Sequence, residues 1–594
     1  MTDVDEGTRA IGAWLSRFDR ALQDGQVRDA ADLFNENAAW RDLVAFTWNI
    51  HTFEGRDEIA AMLAERLAAT SPSGWAIEGA AFGAPDAPEA FITFATQTGR
   101  GRGVLRLQNG KCSTLLTALY ELEGFAEQRG VNRPRGAPEE TRRGQRNWSD
   151  LRKSVEETLG ISTQPDVVIV GGGQSGLGLA ARFKLLNVST LVIDRLPRVG
   201  DQWRSRYNSL CLHDPVWYDH LPYFPFPDHW PVFTPKDKIA EWLELYAKAM
   251  ELDIWTSTEC VGTAFDEATG RWEVRVVRDG KSLTLKPVHL VFAMGVAGKP
   301  EKPEFAGEAS FDGPILHSSG YRGGEQFAGK RVAVIGSNNS AHDICADLWE
   351  QGAIPTMIQR SSTCVMRSEI LRELMLSPLY SEEAIAGGMS TELADLLFAS
   401  IPYSLMADQQ KTVVAEIRER DAGFYKRLED AGFLLDFGPE GSGIYVKFLQ
   451  SASGYYIDVG ASELVADGRI GLRSNVSVDH IEKNGVALSN GDLLEADAII
   501  CATGFGPMDE WIRQLLPADI AKGVGPCWGY GAGTPLDPGP WVGELRNMWK
   551  PLSHPNLWVH GGNLQLGRHY SRYLALQIKA KLEGLPVQPY PPRA

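Results

Sequence analysis

Two glycine-rich turns, each following a short apolar run, constrain this chain more than any other feature. The first is VVIVGGGQSGLGLAARF, from Val167, and the second is RVAVIGSNNSAHDICADL, from Arg331. Each reads as strand, tight loop and helix, the opening of a βαβ unit. One such loop is a weak signal. Two imply two dinucleotides, and the obvious pairing is a flavin with the nicotinamide that reduces it.

In the first loop Gly171, Gly173 and Gly176 fill G-x-G-x-x-G, with Gln174 and Ser175 inside it. The first glycine permits the turn, the second lets backbone approach a pyrophosphate, and the third lets helix and strand pack closely. The helix N-terminus adds partial positive charge. Asp194 ends the strand TLVID, where an acidic residue takes ribose hydroxyls, and Arg195 follows it. FAD and NAD both fit this loop. The next segment, with Gly200, Gln202 and Trp203, favours FAD, because an amide and an aromatic on a tight turn suit a large flat ring.

The second loop runs Gly336, Ser337, Asn338, Asn339, Ser340, Ala341. Asn338 and Ala341 stand where glycine is usual; Asn tolerates the left-handed region, and Ala keeps the helix contact small. The following strand ends at Arg360, with Ser361 and Ser362 and no carboxylate. An arginine with hydroxyls there suits a 2′-phosphate, so NADPH is the expected nicotinamide, with NADH possible.

The chain has 594 residues, too many for one core, and a formal net charge of −17. That charge argues against nucleic acid or an anionic membrane as partner. The seven cysteines form no C-x-x-C, which excludes a thioredoxin-reductase type pair and any obvious metal site. Scattered thiols, no signal-peptide pattern and no long apolar run predict a cytoplasmic protein. Its expected partners are a small organic substrate and O2, with a homodimer possible.

Residues 1–126 read as helices followed by a meander, an α+β cone; QNGK is its tightest hairpin turn. Residues 127–163 are a polar linker rich in Arg, Gly and Pro. The remainder divides into a first flavin part (164–325), a nicotinamide domain with a helical insertion (326–450), and a second flavin part with a Pro-rich tail (451–594). The fold class is therefore α/β, with two Rossmann-like domains, the FAD domain interrupted by the NADPH domain, plus the N-terminal cone.

Further motifs join the two loops. FDGPILHSSGY spaces Phe311, Gly313, His317 and Tyr321 as F-x-G-x-x-x-H-x-x-x-Y; CATGF carries Thr503 and Gly504; LCLHDPVWYDHLPYFPFPDHWPVF ends its central run in P-F-P. Together, from about Pro165 to Arg572, they resemble the class B flavoprotein monooxygenases: flavin-containing monooxygenases, their plant indole-3-pyruvate relatives and Baeyer-Villiger enzymes. The first 125 residues or so resemble a nuclear-transport-factor-2-like (SnoaL-like) domain.

The resemblance implies that NAD(P)H reduces FAD and that a C4a-peroxyflavin oxygenates a small organic substrate. Baeyer-Villiger oxidation of a ketone and oxygenation of N or S are the leading chemistries. Alternatives are oxidative decarboxylation of a 2-oxo acid, an NAD(P)H oxidase releasing hydrogen peroxide, and a non-catalytic flavin-bound sensor. The resemblance assigns the ATG turn to the chain's return to the flavin, and a conformational role to His317 and Tyr321. His213 replaces the Asn of microsomal members and is the first candidate for a flavin-side partner. Asn563, Gln565 and Ser571 are candidates near flavin or substrate, and Trp528 and Tyr530 for the pocket lining. Trp40, Asp42, Trp48 and His51 are candidates to line the cone, which is expected to cover the flavin pocket or mediate dimerisation.

Overall fold

The computed structural model describes residues 3–136, 143–529 and 543–590. The chain opens with the helix Asp3–Gln23, whose Ile11, Leu15, Phe18 and Leu22 form one buried stripe. It packs on a six-stranded sheet ordered Ile50–Glu54, Phe34–Leu43, Lys111–Leu122, Gly99–Gln108, Ala87–Thr96 and Ser73–Ala84. Phe34–Leu43 and Lys111–Leu122 run parallel; the other neighbours are antiparallel. The expected QNGK hairpin is present, with Asn109 and Gly110 at φ +53° and +74°, as a two-residue turn of the I′ kind requires.

Two five-stranded parallel sheets frame the rest, with smaller two- and three-stranded sheets beside them. The first is ordered Leu557–Val559, His289–Phe292, Val167–Val170, Thr190–Ile193, Ile254–Trp255. The second is ordered Ile315–His317, Ala498–Cys501, Arg331–Ile335, Ile354–Gln359, Gly471–Ser474. The sequence reading gave Gly471–Ser474 and Ala498–Cys501 to the returning flavin part, but both hydrogen-bond into the second sheet. Short apolar runs look alike whichever parallel sheet they join. The chain crosses between the sheets twice, and the two crossings pair as the antiparallel strands Ala297–Pro300 and Phe505–Pro507. The expected insertion is helical, including Thr391–Ala399, Tyr403–Arg420 and Ala422–Asp430.

The last helix, Leu564–Leu582, is buried at every position from Leu564 to Ala580. It packs on the helix Gln174–Leu185 and also touches the strand Lys111–Leu122 of the N-terminal unit. Its polar residues must then find partners inside the protein. Arg568 forks onto Asp395 at 2.8 and 2.7 Å, and Arg572 reaches Glu392 at 2.7 Å.

A buried network docks the N-terminal unit. Arg41 donates from Nε and Nη2 to the two carboxylate oxygens of Glu544, at 2.8 and 2.7 Å. It also donates to the Ala399 carbonyl (2.6 Å) and to the Tyr570 hydroxyl (3.0 Å), and its guanidinium lies over the Tyr403 ring. Thr52 adds a bond to Glu544 at 2.8 Å. The ion-paired side chains are 1% and 2% exposed. The C-terminal tail returns to the same unit: the Tyr590 amide donates to the Thr47 carbonyl at 2.7 Å, and its ring packs on His51 and Phe53. Among the described residues, no helix is long and apolar enough to cross a membrane.

Candidate active site

The first glycine loop closes the strand Val167–Val170. Gly171 has φ +113°, and a Cβ there would lie 2.3 Å from the Ala293 carbonyl oxygen. A Cβ at Gly176 would lie 2.0 Å from the Gly171 carbonyl oxygen. Both positions exclude any side chain by backbone contact. Gly173 differs: its Cβ would meet only Gln202 Nε2, at 3.5 Å. The open space before Gly173 is where a pyrophosphate would approach the backbone.

Gln174 and Ser175 form the first turn of the helix that follows, and the start of the last helix lies beside it. His560 Nε2 sits 3.1 Å from the Ser175 carbonyl, and Gly567 packs on Ser175. Burial lowers the His560 pKa to about 3, so it is neutral. Two helix N-termini therefore converge on one spot, a favourable place for negative charge. Gln202 Nε2 and Trp203 Nε1 are buried donors without a hydrogen-bond partner. Orphaned donors beside an open glycine fit a phosphate-bearing ring cofactor. Asp194 accepts from the Gly172 and Leu196 amides at 2.7 and 2.8 Å, which leaves one lone pair on each oxygen for a ribose. Arg195 stacks over Trp511 at 4.8 Å.

At the second loop Gly336 has φ +127° and approaches the Ala502 carbonyl. Ser337 Oγ pairs with Thr363 Oγ1 at 2.9 Å. Asn338 caps the helix Asn339–Glu350 at φ −97°, so the left-handed tolerance expected of it is not used. Asn339 Oδ1 accepts from the Ile457 amide, and Ser340 continues the first turn. Arg360 and Ser361 are exposed just beyond the strand, and Arg360 makes no hydrogen bond or ion pair among the described residues.

The fingerprint segment supplies the edge strand Ile315–His317 of the second sheet. A Cβ at Gly313 would strike the Asp497 carbonyl at 2.2 Å, and Phe311 packs beside it. His317 Nε2 lies 3.0 Å from the Gly504 carbonyl, and Thr503 donates to the Glu301 carbonyl across the crossing strands. Tyr321, fully buried, donates to Asp347 on the second dinucleotide helix.

Of the proposed catalytic residues, His213 leans on the second unit. Its Nε2 is 3.5 Å from Asp343, which also accepts from the Tyr207 hydroxyl at 2.7 Å. Burial would lower its pKa, but Asp343 more than offsets this, and the shift is upward. Asn563 caps the last helix through the Leu566 amide and donates to Tyr218 Oη at 3.1 Å. Gln565 is tied to Asp395, and Ser571 bonds back to the Arg568 carbonyl.

Asn563 and Tyr218 line a cavity of about 100 Å3 whose other walls include Leu371, Met375, Ile444 and Phe448. Asp214, which the sequence reading passed over, lies on the same wall. The only signal was an acidic residue next to His213 in a run rich in aromatics. Trp528 stands behind Phe448, donating to its carbonyl at 3.0 Å, while Tyr530 lies outside the described residues.

Burial raises the Asp214 carboxyl from 3.8 to about 6. A raised carboxyl pKa stabilises the fold below the unfolded value and loses that contribution as pH rises through the folded value. Asp214→Asn is therefore expected to flatten the fall in thermal stability between roughly pH 4 and 6, a contribution of about 3 kcal/mol at most. Melting curves against pH check this, and an unchanged slope would show that the carboxyl is not held protonated. Asp42, raised to about 6 by the same cause, leaves a residual slope.

In the N-terminal unit Asp42 accepts from Thr117, Thr47 and the Phe46 amide, and Trp40 donates to Thr117 at 2.8 Å. His51 packs on Phe53, and Trp48 is buried at φ +50°.

Residues 201–372 match the family described as flavin-binding monooxygenase-like. Indole-3-pyruvate monooxygenase YUCCA1 of Oryza sativa subsp. japonica is 31% identical over 363 residues, 61% of this chain and 82% of that protein. Probable YUCCA8 of Arabidopsis thaliana is 31% identical, over 58% of this chain and 76% of its own length. Among solved structures, ε-caprolactone-bound cyclohexanone monooxygenase aligns with TM-score 0.50 at 17% identity, covering 71% of this chain and 88% of that one. The OTEMO complex with FAD and NADP also gives 0.50 at 17%, covering 71% and 86%. These structures share the fold of the two dinucleotide units.

Proposed function

Because the chain belongs to the flavin-binding monooxygenase-like family, we propose that it oxygenates a small organic substrate with FAD, NADPH and O2. The observation that carries this reading is the open glycine cradle with two orphaned donors beside it, facing two helix N-termini. Gly171, Gly173, Gly176 and Asp194 would hold the FAD, with Gln202 and Trp203 completing its hydrogen bonding. Gly336, Ser337 and Arg360 would hold the nicotinamide dinucleotide. Bound flavin supplies hydride acceptance and activation of O2.

The protein's own part is to orient and to exclude water. The cavity bounded by Asp214, Tyr218 and Asn563 is read as the substrate side. Its apolar walls keep water out, and Asn563 holds the Tyr218 hydroxyl in place. His317 holds the crossing segment at Gly504 and Tyr321 holds the second dinucleotide helix at Asp347, so their role is positional. The His213–Asp343 pair spans the two units, and through it His213 would set their separation. The first unit is read as a nuclear-transport-factor-2-like cone, supported by its helices and bulged six-stranded sheet.

Ketone or heteroatom oxygenation leads. The likeness to indole-3-pyruvate monooxygenases supports a second reading, oxidative decarboxylation of a 2-oxo acid. The test incubates flavin-loaded protein with NADPH, O2 and a panel of ketones, sulfides, amines and 2-oxo acids, counting product and peroxide together. One product per NADPH from one class is expected. Stoichiometric peroxide with every compound would leave an oxidase, and no NADPH turnover would leave a sensor.

Arg360→Ala is expected to raise KM for NADPH at least about tenfold, through loss of a charge-assisted bond of about 1.5–3 kcal/mol. KM for NADH should move little. Equal changes for both coenzymes would remove Arg360 from 2′-phosphate recognition.

A further inference from the structure

A larger cavity, about 340 Å3, opens where the N-terminal unit, the linker, the first dinucleotide helix, the insertion and the last helix meet. Five arginines line it: Arg102, Arg129, Arg182, Arg568 and Arg572. Their acidic partners number four. Arg102 pairs with Glu78, Arg568 with Asp395 and Arg572 with Glu392, while Arg129 and Arg182 share Glu127 at 3.8 and 3.6 Å. Glu127 already accepts the Tyr223 hydroxyl. One positive charge is left without a carboxylate of its own.

That surplus is localised. The Arg182 side chain is 4% exposed, yet its Nη1 has no hydrogen-bond partner. A buried guanidinium donor left open costs free energy unless a ligand fills it. Aromatic faces also support the arginine planes: Arg102 and Arg572 cover Tyr120 at 4.4 and 4.2 Å, and Arg182 covers Tyr223 at 4.5 Å. The field they create is felt by their neighbours. Glu392 is held below its usual pKa, because Arg572, Arg182, Arg129 and Arg102 outweigh its burial. His569 is depressed to about 3, first by burial and then despite Asp395, with Arg41, Arg572 and Arg568 adding to the fall.

Beside the arginines the wall carries their partners Glu392 and Asp395 with Ser390, Thr391, His220 and His569, and one apolar side formed by Leu221, Pro222, Phe224, Leu393 and Leu396. We propose that this cavity binds a small organic monoanion, a carboxylate on an apolar body, with its charge on Arg182 and Arg129. A planar carboxylate matches the guanidinium fork, and the volume lies in the range of small-molecule sites. The site is separate from the substrate cavity: Arg568 and Arg572 follow Asn563 along the last helix by roughly 8 and 14 Å. It exists only while the N-terminal unit is docked, since Arg102 and Tyr120 come from that unit. A bound carboxylate would therefore hold the unit to the core.

Calorimetric titration of the flavin-loaded full chain with benzoate, benzamide and inorganic phosphate tests this. Benzoate is expected to bind once per chain without changing the flavin absorbance, and benzamide and phosphate are expected to give no heat. Arg129→Gln, at a side chain 47% exposed and so tolerated by the fold, should weaken benzoate at least about tenfold. Arg182→Gln should abolish binding; if that variant fails to fold, Arg129→Gln decides. Four results would overturn the proposal: no benzoate heat up to about 10 mM, where even a millimolar site saturates; equal binding of benzamide; phosphate bound in place of benzoate; or benzoate binding unchanged in Arg129→Gln.

Discussion

Gly173→Leu gives folded but colourless protein. A side chain here meets only the tip of Gln202, so the apoprotein has room for it, while the space before the loop is filled. Pyrophosphate would lose its approach to the backbone, and flavin affinity should fall by more than about a hundredfold. The matched control is Gly176→Val, whose Cβ would lie 2.0 Å from a carbonyl oxygen. That variant should lose stability by about 1–3 kcal/mol or more through overpacking, in addition to its flavin. Flavin absorbance per chain and a thermal melt separate the two effects. Full flavin occupancy in Gly173→Leu would mean that the pyrophosphate binds elsewhere.

Arg41→Met should be the most damaging single change outside the dinucleotide loops. It removes both bonds to Glu544 and the bonds to Ala399 and Tyr570 together, and strands a carboxylate that is 2% exposed. Breaking one side of a buried pair costs about 3–5 kcal/mol. Arg41→Met combined with Glu544→Leu should recover much of that loss, because no charge is then left unpaired. Denaturant unfolding of the two variants measures it. A loss below about 1 kcal/mol in Arg41→Met would show that water reaches Glu544 when its partner is gone.

The dinucleotide loops were legible because their chemistry is local: a strand, a glycine turn and a helix start lie within one short stretch. The fingerprint was legible for the same reason, and Gly313 and Gly336 sit where backbone approaches backbone. Strand membership beyond the loops was not. Nothing in IGLRS or ADAIICATGF states which sheet it joins, because parallel strands buried on both faces carry the same apolar run. The partners of Gln565 were not legible either: it lies between Tyr218 and the Asp395–Arg568 pair, which is assembled from the insertion and the last helix. Asp214 was missed because its cavity is closed by Leu371, Ile444 and Phe448, which arrive from far along the chain. Arg41 is the extreme case: an arginine in a strand of a small N-terminal unit reads as a surface residue until its partner is placed beside it.

Arg41 and Glu544 are separated by 503 positions in the chain. At a ribosomal pace of about 5–20 residues per second, the arginine is made roughly 25–100 s before its glutamate. The N-terminal unit has time to complete its own sheet long before the partner emerges. During that interval its docking face carries a solvated cation, which discourages premature burial against a half-made core. Glu544, the helix Leu564–Leu582 and the segment whose Tyr590 reaches Thr47 then follow in quick succession. Docking thereby waits for Glu544, and a chain that stalls before it is left with its two halves undocked.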